Sequence, residues 1–91
     1  MSPIHRRLRI TGLVRGVWYR RSAVGKGTSL GLDGTARNLT DGSVEVHAEG
    51  DPVAMDEFIA WCQRGPARAR VDQVLVEPSS LMGFQTFTAV H

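Results

Sequence analysis

Asp41–Gly42 lies at the middle of the chain between two strand-like runs and reads as a hairpin turn. Thr35 to Leu39 precedes it as a short strand. Ser43 to Glu49 follows with clean alternation: Val44, Val46 and Ala48 fall on one face, Glu45, His47 and Glu49 on the other, and Gly50 ends the run. A segment of helical length lies on either side of this hairpin. Arg20 to Leu30 is the first, closed by Gly31 in the place of a C-terminal cap. Gly25 and Gly27 lie inside it, each costing about 1 kcal/mol against Ala, so tertiary packing must hold it. The second begins at Asp51–Pro52, a capping side chain followed by a proline suited to a first turn. Met55, Phe58, Ile59 and Cys62 then recur at spacings of three and four, and the helix ends before Gly65–Pro66.

The outer strands complete the pattern. Arg7 to Leu13 places Leu8 and Ile10 on one face and Arg7, Arg9 and Thr11 on the other. Arg70 to Glu77 is a Val-rich strand ended by Pro78, Ser79 to Gly83 a loop, and Phe84 to Val90 a last short strand. Right-handed crossovers make the strands of each β-α-β unit parallel, and the hairpin makes the second and third antiparallel. The expected architecture is therefore α+β: a ferredoxin-like βαββαβ sandwich with an antiparallel sheet of order 4-1-3-2, a short extra C-terminal strand and two helices on one face. Residues 1–91 are expected to form a single domain. In this topology the carboxyl end of the first strand and the turn after the second share one end of the sheet. The loop from Val14 to Arg20 can thus approach Asn38.

Composition excludes several functions. Net charge is +2, too mild to argue for nucleic acid. Leu8, Ile10, Val44 and Val46 on one face of strands one and three, with charged residues on the other, leave no aromatic platform for stacking RNA bases. Cys62 is the lone cysteine, so no intramolecular disulfide or cysteine-based metal cluster is available. His5, Arg6, Arg7 and Arg9 interrupt the start, unlike a signal peptide, and no apolar run approaches the ~20 residues of a membrane span. A cytoplasmic protein is the expectation.

The loop Gly12-Leu13-Val14-Arg15-Gly16-Val17-Trp18-Tyr19-Arg20 leaves a strand and enters a helix. Glycines there allow successive amides to face one hollow, the helix adds free N–H groups and the positive end of its dipole, and an Arg at the helix start can bind phosphate in a bidentate way. It lacks the Gly-Lys-Ser/Thr of a Walker A loop and the dinucleotide fingerprint. By spacing alone a simple tight connection explains it equally well.

This segment resembles the acylphosphatase signature: a glycine, a Val-Gln-Gly-Val core, then an aromatic and an Arg. Gly34-Thr35-Ala36-Arg37-Asn38, followed by Gly42, Val44 and Gly50, is similar to that family's second signature, and Gly65-Pro66-Ala67-Arg68-Ala69-Arg70-Val71-Asp72 to its approach to strand four. The resemblance runs nearly end to end. It implies hydrolysis of the carboxyl–phosphate bond of a small-molecule acyl phosphate to a carboxylate and inorganic phosphate. It makes Arg20 the phosphate-binding catalytic arginine and Asn38 the water-positioning residue, with Arg15, Gly16, Val17, Trp18, Tyr19 and Arg20 forming the phosphate cradle. It implies no cofactor and no metal, and a phosphate or sulfate anion able to occupy the loop; from the composition and patterning above no nucleic-acid or membrane partner is expected, and a monomer is the default. The alternatives on the same fold are an RNA-binding module and a domain like the amino-terminal part of hydrogenase maturation factors.

The chain departs from the family pattern at three places, one of them Gly25 and Gly27, which stand where the family has better helix formers and imply a stability cost rather than lost function. Arg15 replaces the usual glutamine, and Thr35 stands where an aromatic is usual, a volume that Trp18 is expected to fill in part. Cys62 reads as core, His47 as an exposed residue of the third strand's polar face, and His5 and His91 as mobile terminal residues. Trp61 is expected to pack on the second helix, and Arg6, Arg7 and Arg9 to form a solvated face.

Overall fold

The computed structural model describes residues 2–91. Its elements are β1 (Ile4–Leu13), α1 (Tyr19–Ser29), β2 (Asp33–Asn38), β3 (Val44–Gly50), α2 (Pro52–Arg64), β4 (Arg70–Ser79) and β5 (Phe87–Val90). They build a five-stranded sheet of order β4-β1-β3-β2-β5. β1 is antiparallel to β3 and β4, β2 is antiparallel to β3, and β5 runs parallel to β2 on its outer side. This is the ferredoxin-like α+β order anticipated from the hairpin and the crossovers, with the extra strand added at the β2 edge.

The alternation in β1 and β3 divides the sheet into two faces. Leu8, Ile10, Val44, Val46, Ala48 and Ala36 are fully buried on the helix side. α1 packs over β2 and β5, α2 over β3 and β4, and Met55, Phe58 and Cys62 fill the space between α2 and the sheet. Asp51 caps α2 by accepting from the Val53 and Ala54 amides, the cap anticipated from Asp51–Pro52. α1 survives its glycines for a packing reason. A Cβ on Gly27 would fall 2.4 Å from Phe87 Cε2, so the missing side chain is what lets the helix approach β5.

Four boundaries differ from the sequence expectation by two residues or more. β2 begins at Asp33 rather than Thr35, its first residues pairing with β3. β1 begins at Ile4, because His5 and Arg6 continue the pairing with β3 and β4. β4 runs through Pro78 to Ser79. It is an edge strand, where a proline's missing N–H removes no ladder bond if it faces outward. β5 begins at Phe87 rather than Phe84.

The segment between β4 and β5 forms a strap across the sheet face opposite the helices. Glu49 accepts from the backbone N–H groups of Met82, Gly83 (3.1 Å) and Phe84 (3.1 Å). His5 Nδ1 lies 2.8 Å from the Ser80 carbonyl oxygen and 3.0 Å from Glu49 Oε2, and His5 Nε2 lies 2.9 Å from His47 Nδ1. Two acceptors at Nδ1 put the proton there in neutral His5, so Nε2 accepts from His47 Nδ1–H. His5 is thus not a mobile terminal residue but only 1% exposed, and His47 is half-buried. Arg7 and Arg37 pair with Glu45, and Arg9 with Asp41, so this face carries neutralised charges rather than free cations. Thr35 faces this side beside its register partner His47, whose ring lies 6.3 Å from that of Phe84, whereas Trp18 lies in the turn before α1.

Candidate active site

β1 ends at Leu13 and the chain turns through residues 15–18 before α1. Gly16 takes φ 75, a left-handed conformation that glycine adopts without steric cost, and open space surrounds the position of its absent Cβ. Trp18 takes φ 65, which costs a residue with a Cβ about 1–2 kcal/mol. Among the described residues no backbone carbonyl accepts from the amides of residues 15–18. Ser22 donates to the Trp18 carbonyl at 2.9 Å, the first bond of the helix. The amides of Tyr19, Arg20 and Arg21 therefore lack helical acceptors, and no acidic residue occupies that first turn.

Tyr19 anchors the turn. It is buried, its hydroxyl donates to the Cys62 carbonyl at 2.7 Å, and its ring lies 5.7 Å from Trp61. Burial, with Cys62 beside it, pushes the phenol well above its ordinary pKa. The Cys62 thiol is likewise pushed up to about 12 by burial, so it stays protonated and inert. Arg20 projects to the other side, where its Nη1 donates to the Val90 carbonyl of β5 at 3.0 Å. Asn38 ends β2 two residues after buried Ala36. Its side chain therefore belongs to the helix side of the sheet, at the end where α1 begins. The register Ile10↔Val44↔Asn38 sets it level with the last core residue of β1 and the first of β3.

These elements enclose a hollow of about 270 Å³ lined by Gly16, Trp18, Tyr19, Arg20, Arg21 and Asn38, together with buried Val14. The topology thus brings Arg20 and Asn38 to one cavity, together with three further residues of the expected cradle. Arg15 and Val17 belong to the same turn but do not line the hollow: Arg15 is exposed and Val17 packs partly against the core. Arg21 was not anticipated, and its place in the helix's first turn beside Arg20 was the available signal. Among the described residues no carboxylate lines this hollow. A second hollow of about 480 Å³ adjoins through Asn38 and is lined also by Arg37, Asp41 and His91. There Arg37 is paired with Glu45 and Asp41 with Arg9, so the two hollows differ sharply in free charge. Asp41, held by Ser43 and Arg9, has its pKa lowered to about 2.

The acylphosphatase family model matches residues 6–89. The chain is 49% identical to an acylphosphatase of Methylococcus capsulatus, over 99% of this chain and 96% of that protein. The crystal structure of acylphosphatase from Bacillus subtilis superposes with a TM-score of 0.94 at 30% identity, covering 97% of this chain and 99% of that one. Full-length HypF, in its phosphate- and nucleotide-bound form, shares the fold at a TM-score of 0.93 and 21% identity, with only 12% of its length covered.

Proposed function

This chain belongs to the acylphosphatase family, and on that footing we propose that it hydrolyses acyl phosphates with Arg20 and the loop amides holding the phosphoryl group and Asn38 orienting the attacking water. The observation that carries this reading is the single hollow shared by the Arg20 and Asn38 side chains and the α1 N-terminus.

The chemistry asks for little more. A carboxylate departs without needing a proton, so no general acid is required. Phosphoryl transfer then rests on positioning and on stabilising charge on the equatorial oxygens. Arg20, steadied by Val90, and the amides at the helix start supply that stabilisation in fixed orientation. Asn38 offers an amide that orients water without acting as a base, and the water's proton passes to a substrate oxygen. The reading is metal-free because the guanidinium and amides meet the charge that a cation would otherwise meet. Gly16 lets the turn form, while Arg15 and Val17 contribute backbone only.

Every group this mechanism uses comes from one chain, so a monomer suffices, and a cytoplasmic setting suits a reactive small-molecule substrate. The RNA-binding alternative loses support because the strap crosses the sheet face that would stack bases. The test is hydrolysis of benzoyl phosphate with a chelator present, by the wild type, Arg20→Ala and Asn38→Ala. Chelator-resistant turnover that falls sharply in both variants is expected. Activity that requires added metal, or that persists in Arg20→Ala, would contradict the mechanism.

A further inference from the structure

Arg21 is the charged residue of the hollow for which the mechanism has no use. It pairs with no carboxylate among the described residues, although Arg7, Arg9, Arg37, Arg70 and Lys26 all do. Its guanidinium carbon lies 5.6 Å from the centre of the Trp18 ring, and Trp18 is 68% exposed. Both line the cavity.

Helix geometry says which side they occupy. Ala23 and Gly27 are the buried residues through which α1 meets the sheet. Arg21 is two positions from Ala23, about 200° around the helix, and so faces away from the sheet. Asn38 rises from the sheet itself. In the proposed reaction the attacking and leaving oxygens lie roughly in line through phosphorus. Water held near Asn38 enters from the sheet side, so the acyl group leaves on the outward side, past Trp18 and Arg21.

Resting on the reading of the hollow given above, we propose that Arg21, laid on Trp18, is a specificity-determining residue that selects acyl phosphates whose acyl group bears a second anionic group, a carboxylate or a phosphate. Trp18 supplies an apolar face for the acyl body and holds the guanidinium by a cation–π contact. Arg21 then presents a planar fork to an oxyanion at the far end.

The experiment compares kcat/KM for benzoyl phosphate, 4-carboxybenzoyl phosphate and 4-phosphonobenzoyl phosphate in wild type, Arg21→Met and Arg21→Lys. The shared ring cancels the stacking contribution, and the two charged probes separate carboxylate from phosphate preference. Arg21→Met is expected to lower the charged-to-uncharged ratio about threefold to tenfold, chiefly through KM, with partial recovery in Arg21→Lys. A ratio unchanged in Arg21→Met overturns the assignment, as does an equal loss on all three probes, which would mean that Arg21 serves the phosphoryl group or the shape of the turn. A wild type that hydrolyses none of the probes would overturn the reading of the hollow itself, and this assignment with it.

Discussion

Arg20 Nη1 donates to the Val90 carbonyl at 3.0 Å, joining one of the hollow's two cations to the strand at the sheet's edge. The bond fixes where the guanidinium sits without neutralising it, since a carbonyl carries no net charge. Val90 pairs only at the end of β5, opposite Arg37, so its loss disturbs little of the sheet. Deleting Val90 and His91 is expected to lower kcat/KM about tenfold, less than Arg20→Ala does, the size of one hydrogen bond to a charged group in a half-open site. Steady-state kinetics with circular dichroism checks it, and unchanged kinetics would show that Arg20 needs no tether.

Arg20→Ala and Asn38→Ala are each expected to lower kcat/KM by about 10²–10³, the usual loss for one well-placed donor. They differ in their binding signature. Inorganic phosphate should raise the Tm of the wild type and of Asn38→Ala, but not of Arg20→Ala, because a ligand stabilises only a fold that binds it. Thermal melts with and without phosphate separate the two roles.

The two glycines of α1 should respond in opposite ways. Gly25 is exposed with nothing near its absent Cβ, so Gly25→Ala is expected to raise stability by about 1 kcal/mol. Gly27 lies against the Phe87 ring, so Gly27→Ala is expected to lower stability by about 1–3 kcal/mol through overpacking. Denaturant titrations of the two variants measure both signs.

Acid should loosen the strap. Burial opposes ionisation of Glu49, but the Met82, Phe84 and Gly83 amides and His5 outweigh it and hold its pKa below the usual carboxylate value. Stability from such a group is fully present above the unfolded value of 4.5 and is lost as pH falls through the lower folded value. His47 adds to the trend. Burial, which outweighs the pull of Glu45, lowers its pKa from 6.5, so the unfolded chain takes up the proton first and stability already declines below that value. Stability is therefore expected to fall steadily from pH 7 to pH 3, and Glu49→Gln to flatten the lower part of that profile. Chemical denaturation across this range is the measurement.

The parts of the molecule set by short-range pattern were legible in the sequence. Alternation in β1 and β3, the Asp41–Gly42 turn and the Asp51 cap fixed the element order. The crossovers then brought the loop to Asn38 without any contact being known. The less legible parts depend on what covers a residue. Nothing local distinguishes His5 from a frayed terminus, because its burial comes from residues 80–84, at the other end of the chain. Pro78 signals a strand end unless the strand is known to be an edge, and edge position follows only from the assembled sheet. Gly27 looks like a weakness in a helix until Phe87 is seen against it. The placing of Trp18 beside Thr35 failed because a residue in the turn cannot reach a face that the strap already occupies.

β1 lies between β3 and β4 and keeps one flank unsatisfied until β4, far along the chain, has formed. A growing polypeptide holding only the amino-terminal half would carry that bare flank, together with Leu8 and Ile10, without the cover that α2 and β4 later bring. Closure of the sheet thus waits for β4 to leave the ribosome, and folding of this unit should be a single and comparatively slow event dominated by distant pairings. The proposed cradle inherits this order: Arg20 acquires the Val90 tether only when β5 docks, so the hollow gains its fixed cation last.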